Sequence, residues 1–315
     1  MVEQIRDFDL VGLTNVLTDI IIQVSEPEFI ELGLVKGTQR GIRNIDPYKL
    51  EYILQRNEKK SCIAGSPANT TMNSSVLGLK TGLLGTIGDD FIGEEYEQKL
   101  EQLGAKSILG KITGASGRCY IFVTPDYERT GVADMGVAGS FIFDETRIKG
   151  SRIFHTSGYE LVSNPTRALE VINYMKEVGA RISLDLASAE AIGVQRRGIE
   201  EAVSKTDILF MTEEEAEELT GTNPEAALEK MSNICRVVAL KKGSKGSIVR
   251  SNHEQYNISP YPIDVVNTCG AGDAYASGFL WGSLRNLRLQ VCGNIASCIA
   301  SRVCGLQESH LLPKK

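Results

Sequence analysis

Residues 151–186 read SRIFHTSGYELVSNPTRALEVINYMKEVGARISLDL, and this stretch decides the fold. SRIFHTSG and ARISLDL are short apolar runs of the kind that form buried strands, and NPTRALEVINYMKEVG between them has the pattern of a helix. A strand, a helix and a second strand make a crossover unit, which places two parallel strands in one sheet. The alternation continues with DILFMT (207–212) as a strand and TEEEAEELTG (212–221) as a helix. RVVALKKGSKGSIVRSNHEQYNIS (236–259) reads as two or three strands about a glycine-rich turn. Two helices end the chain, Ala271 to about Arg285 and about Arg288 to Val303, the second with Cys292, Ile295, Ile299 and Val303 in one apolar stripe.

Upstream the pattern differs. FDLVGLT (8–14) reads as a buried first strand, and TDIIIQVS (18–25) follows too soon for a crossover helix, so it belongs to another sheet. SPANTTMNSSVLGL (66–79) reads as a helix with Ser66-Pro67 as N-cap and first-turn pair, KTGLLGTIG (80–88) as a strand, and DFIGEEYEQKLEQLG (90–104) as a helix closed by Gly104. SGRCYIFVTPDYERTGVADMG (116–136) alternates as a hairpin does. The expected fold is α/β: a mostly parallel central sheet, helices on both faces, and a small β lid inserted at about 17–45 and 107–135. No low-complexity linker and no internal repeat divides the chain, so 1–315 reads as one domain.

Composition narrows the function. The 315 residues carry a net charge of -6, which argues against nucleic acid or an anionic membrane as the main partner. Seven cysteines without CxxC spacing and three scattered histidines point away from a zinc site or a disulfide framework, toward reduced thiols in the cytoplasm. The opening MVEQIRDFDLVGL has acids and no long apolar run, unlike a signal peptide, and no stretch reaches the roughly 18 apolar residues of a membrane span.

The chemistry concentrates in NTCGAGDAYASG (267–278). Gly270, Ala271 and Gly272 let a ligand approach the backbone, and a helix starting there aims unpaired N–H groups and its dipole at an anion. Asp273 in the first turn is either a partner for that dipole or a base that takes the proton of a hydroxyl as its oxygen attacks phosphorus. Other phosphate motifs fail. GxGxxG needs glycine where Tyr275 stands, and GxxxxGK[ST] is absent.

This segment resembles the DTxGAGD signature of the PfkB (ribokinase-like) family of sugar and nucleoside kinases. The likeness extends to GLTNVLTDI (12–20), similar to an N-terminal GNxxxDI, and to residues 64–104, similar to GGxxANxAxxLxxLG followed by GxVGDDxxG. TPDYERTGVADMGVAG (124–139) resembles the lid of the adenosine-kinase-like branch, and ALKKGSKGS (239–247) the nucleotide-side turn. The resemblance implies a kinase using ATP and Mg2+ on a primary hydroxyl of an adenosine-like nucleoside or ribose-like sugar. A hexose, keto-sugar or vitamin kinase of the same fold, or a degenerate binding protein, are the alternatives.

The same resemblance implies residue roles. Asp273 is the base, and Gly270, Ala271 and Gly272 form the anion hole. Asn15, Asp19, Gly65, Asn69 and Arg129 bind the substrate, Arg129 folding over with the lid. Gly243, Gly246 and Asn294 serve ATP, and Glu215, from an NxxE-like motif, organises magnesium through water. Four residues depart from the pattern. Asn267 replaces an acid that helps hold a monovalent cation, so potassium activation is not carried over. Thr212 replaces the Asn of NxxE, which weakens the expected metal network. Ala64 replaces a glycine and crowds the sugar edge, and Lys241 stands where Thr or Ser is common. A lid made of a small sheet leaves an edge and one face to cover, which suggests a homodimer.

Overall fold

The computed structural model describes residues 7–312 apart from 145, 146, 149 and 253. In chain order its strands are β1 (Phe8–Leu13), β2 (Leu17–Gln23), β3 (Gln39–Gly41), β4 (Lys59–Ala64), β5 (Thr81–Leu84), β6 (Thr86–Gly88), β7 (Lys106–Ser107), β8 (Gly110–Ile112), β9 (Gly117–Val123) and β10 (Arg129–Asp134). They continue with β11 (Ser151–Ser157), β12 (Arg181–Asp185), β13 (Ile208–Thr212), β14 (Val237–Lys241), β15 (Ser247–Ser251) and β16 (Gln255–Ile258). The α-helices are α1 (Glu26–Glu31), α2 (Pro47–Arg56), α3 (Ser66–Val76), α4 (Phe91–Gln102), α5 (Gly158–Ser163), α6 (Pro165–Glu177), α7 (Ala189–Val194), α8 (Arg196–Ser204), α9 (Glu213–Thr220), α10 (Pro224–Ser232), α11 (Ala271–Leu284) and α12 (Leu289–Cys304).

The central sheet runs β16-β15-β14-β13-β12-β11-β1-β5-β7. Every neighbouring pair from β14 to β7 is parallel, and only the pairings β14–β15 and β15–β16 are antiparallel, so β15 alone runs against the rest. Strand alternation assigns the two cores. Leu209 and Met211 of β13 pack with the helices α5 to α10 on one face, and Ile208 and Phe210 pack with α11 and α12 on the other. Helix α11 can be rich in small residues because it is wedged between α3 and α12: a methyl on Gly278 would lie 2.9 Å from the Ala296 Cα.

The lid is a second sheet, β3-β10-β9-β2-β4. It differs from the expected segments. Residues 59–64 join it because β2 pairs antiparallel along its length with β4, from Leu17↔Ala64 to Ile22↔Lys59. Lys106–Ser107 instead edges the central sheet, and Gly110–Ile112 pairs with β6, so KTGLLGTIG is two strands in two sheets. The outer lid face is covered from within the chain: Phe29 of α1, Leu32 just after it, and Leu50 and Ile53 of α2 pack on Ile22, Tyr120, Phe122 and Val132. Among the described residues this face of the lid is thus occupied, and the edges stay open to a partner. Among the described residues no helix is long and apolar enough to cross a membrane.

Candidate active site

The C-terminal ends of β1, β12, β13 and β14 open into a cleft of about 540 Å³ roofed by the lid. Ligands in open α/β sheets bind at this edge, because the loops and helix N-termini there present unpaired backbone groups. Asn15, Gly65, Asn69, Glu215 and Asp273 line it from below, and Asp19, Cys119 and Ile121 line it from the lid.

Helix α11 starts at Gly270, whose φ of +78° favours glycine, and a methyl there would meet the Ser309 carbonyl oxygen at 2.0 Å. The C-terminal segment thus packs onto the glycine turn, and glycine is required twice over. Gly270 and Gly272 both face the cleft. Asp273, in the first turn, accepts from Ser66 Oγ on Oδ1 at 2.6 Å and from Asn69 Nδ2 on Oδ2 at 2.8 Å. Burial pushes its carboxyl up to about 6, against the lowering effect of those two hydrogen bonds and of Lys241. Ser66 does not cap α3 as the sequence suggests. Gly65 holds the cap position with φ +117°, which frees the Ser66 hydroxyl for Asp273.

Asp19 lies opposite, on β2. Burial raises its carboxyl to about 6, with Arg129 pulling the other way. Arg129 Nη1 donates to Asn267 Oδ1 at 3.0 Å, tying the lid to the loop before Gly270. Asn15 donates its backbone N–H to Glu160 Oε1 at 2.9 Å, and its side-chain Oδ1 and that of Asn69 are buried without a protein partner. Such acceptors are satisfied by a ligand's donors or cost about 1–3 kcal/mol each.

The nucleotide-side expectations divide. Neither Gly243, Gly246 nor Asn294 forms part of the cleft wall. Gly243 has open space around it, with φ +56°. Gly246 needs no nucleotide to explain it, since a methyl there would lie 2.1 Å from the Ile258 carbonyl oxygen. Asn294 is exposed on α12.

Thr212, which replaces the Asn of its motif, caps α9. Its hydroxyl accepts from the Glu215 N–H at 3.2 Å, and Glu215 Oε2 accepts from the Thr212 N–H at 2.8 Å, a reciprocal cap that points Glu215 at the cleft. Burial raises the Glu215 carboxyl, Lys241 opposing. Among the described residues no cluster of three His, Cys, Asp or Glu side chains could hold a metal alone. Glu215 and Asp185 in one wall suit a hard cation that arrives on phosphate oxygens and keeps its waters.

Several functional candidates escaped sequence reasoning. Asp185 and Ser309 line the cleft, and Lys241 Nζ lies 2.6 Å from Asp185 Oδ2. Glu160 was readable, since SGYE is a Ser-x-x-Glu cap: Glu160 Oε2 accepts from the Ser157 N–H at 3.1 Å, leaving Oε1 to fix Asn15.

A model of the pfkB family of carbohydrate kinases matches residues 41–313. A nucleoside kinase of Methanothermobacter thermautotrophicus is 28% identical over 243 residues, 75% of this chain and 76% of that protein. A 5-dehydro-2-deoxygluconokinase of Bacillus licheniformis is 28% identical over 270 residues, 78% of this chain and 82% of that protein. The crystal structure of adenosine kinase from Sinorhizobium meliloti superposes with a TM-score of 0.85 at 25% identity, covering 97% of this chain and 96% of that one.

Proposed function

The chain belongs to the pfkB family of carbohydrate kinases and is a phosphotransferase, and from that premise we propose that it transfers the γ-phosphoryl group of ATP to a primary hydroxyl of an adenosine-like nucleoside or ribose-like sugar. The observation that carries this is the facing arrangement of Asp19 on the lid and Asp273 at the start of α11 across one cleft. Asp19, Asn69 Oδ1 and Asn15 Oδ1 form an acceptor set, which suits a ligand rich in hydroxyl donors.

In this mechanism the acceptor hydroxyl lies against Asp273. Its oxygen forms a bond to the γ-phosphorus, its proton passes to the Asp273 carboxylate, and the bond from phosphorus to the β–γ bridging oxygen breaks to release ADP. The first N–H groups of α11, made accessible by Gly270 and Gly272, hold the transferred group, with Ala271 as the turn's middle residue. Magnesium bound with the nucleotide would offset its phosphate charge. Glu215 would hold that ion through water, and Gly243 and Asn294, outside the acceptor cleft, would meet the nucleoside end of ATP. Arg129 reaches phosphate oxygens by exchanging its bond to Asn267. The 5-dehydro-2-deoxygluconokinase relative keeps a keto-sugar acceptor as the second reading.

We place the activity in the cytoplasm, where unpaired cysteines stay reduced. A lid-mediated homodimer would have to use the sheet edges, since α1 and α2 occupy the face.

The test is ADP release over a panel of nucleosides, pentoses, hexoses and keto-sugar acids, with ATP and Mg2+. Turnover with a nucleoside or ribose-like sugar is the expected result. Turnover confined to a hexose or keto-sugar acid would move the assignment to the second reading, and none across the panel would leave a binding protein.

A further inference from the structure

Lys241 ends β14, and its side chain is 14% exposed, beside an Asp185 side chain that is 4% exposed. Their 2.6 Å contact is a buried ion pair at the mouth of the cleft. The ammonium also faces α11: a methyl built on Gly272 would stand 3.3 Å from Lys241 Nζ. A cation therefore sits against the anion-accepting first turn, one residue from Asp273. Asp185 attracts it most, Glu215 next and Asp273 more weakly, and together they keep it charged against the opposing effect of burial. A buried pair of this kind gains little stability over a neutral pair of similar volume, so structure alone gives no strong reason for a lysine here.

We propose that Lys241 is a phosphate-contacting residue, whose ammonium leaves Asp185 for the β–γ bridging oxygen and the transferred phosphoryl group once the nucleotide enters. This rests on the kinase reading above. As the bond from the γ-phosphorus to the bridging oxygen breaks, the electron pair stays on ADP, and Lys241 neutralises that growing charge while the acceptor's proton goes to Asp273. Lysine suits the task because its compact charge rides on a long flexible stem and can change partners. Asp185 is a positioning residue that parks the ammonium in the free enzyme.

Lys241→Met removes the charge but leaves Asp185 buried without its partner, and can fail to fold for that reason alone. The deciding protein is therefore the double variant Lys241→Met/Asp185→Asn, which is neutral on both sides, read against Asp185→Asn alone, which loses the same carboxylate and keeps the ammonium. Its thermal midpoint should lie near the wild-type value, while kcat falls roughly a hundredfold below that of Asp185→Asn, the typical effect of removing one preorganised donor at a developing anion. By calorimetry, a non-hydrolysable ATP analogue should bind it more weakly, with a shallower salt dependence. Lys241→Arg should retain part of the rate. A folded double variant with near-normal kcat and nucleotide affinity would overturn the proposal and leave Lys241 as a counter-ion. If the wild-type protein turns over no acceptor, the kinase reading fails separately, and analogue affinity alone decides Lys241: unchanged affinity in the double variant rejects it.

Discussion

Arg129, at the start of β10 in the lid, donates to Oδ1 of Asn267, 138 residues away and three places before Gly270. The same oxygen accepts the Cys269 N–H at 3.0 Å, and Asn267 Nδ2 donates to the Gln307 carbonyl at 2.9 Å. One amide thus joins the lid, the glycine turn and the C-terminal segment. The family signature places a carboxylate there, which would hold the guanidinium more tightly than a neutral amide does. In the proposed reaction the amide would therefore let Arg129 go more easily to a phosphate.

Arg129→Ala should therefore act on catalysis and hardly on stability. Arg129 is exposed, and an exposed contact of this kind contributes about 0–1 kcal/mol. The expected outcome is a thermal midpoint close to wild type, with kcat/KM for the acceptor down by about ten- to a hundredfold, as for a charge-assisted bond of about 1.5–3 kcal/mol. A normal kcat/KM would confine Arg129 to fastening the lid.

Asp273→Asn should lower kcat by at least about a hundredfold and leave ATP affinity little changed. The structure tolerates the amide. Asn69 can go on donating to its oxygen, and the Ser66 hydroxyl can rotate to accept from its NH2. The competing view, a carboxylate that serves only the helix dipole, predicts a loss of about 0.3–1 kcal/mol in stability and full turnover. Measuring kcat and thermal midpoint on one preparation separates them.

Activity and stability should move in opposite directions as pH falls. Asp273 must be ionised to act as a base, and its carboxyl is pushed up to about 6, so kcat/KM should drop about tenfold per unit below that pH. For stability the sign reverses. Asp273 and Asp19, near 6, and Glu160, near 7, all have folded values above their ordinary ones. The folded state binds these protons more readily than the unfolded chain does. The stability they contribute is fully present below the ordinary carboxyl range and is lost as pH rises through 6 to 7. The ligand-free thermal midpoint should be higher at pH 5.5 than at pH 7.5. A midpoint that is flat or rises with pH over that window contradicts these assignments.

Gly270→Ala should damage fold and function together. The position needs φ +78°, and the new methyl would press on the Ser309 carbonyl. Strain of this type costs about 1–3 kcal/mol, and the clash adds to it unless the C-terminal segment moves away. A lowered thermal midpoint and loss of most turnover are expected. Gly243→Ala, where no atom lies within 4 Å, should show the smaller cost of a positive φ alone.

Much of this was legible in the chain because it depends on neighbours in sequence. The strand-helix alternation from Ser151 onward, the hairpin of β9 and β10, and the glycine turn before α11 are local patterns with local causes. Asn15, Asp19, Gly65, Asn69 and Asp273, named from motifs, line one cleft. The partnerships were not legible, because they join residues far apart in sequence. Ser66 looked like a cap and turned to Asp273, 207 positions away. Lys241 looked like a mere departure until Asp185, at the end of another strand, fell 2.6 Å from it. Residues 59–64 gave no sign of belonging to the lid, since only pairing with β2 makes them a strand of it. Sequence fixes which groups are available and which backbone turns can form. Which charges face each other follows only when the parallel sheet brings the ends of its strands to one edge, and a buried charge must find its partner there.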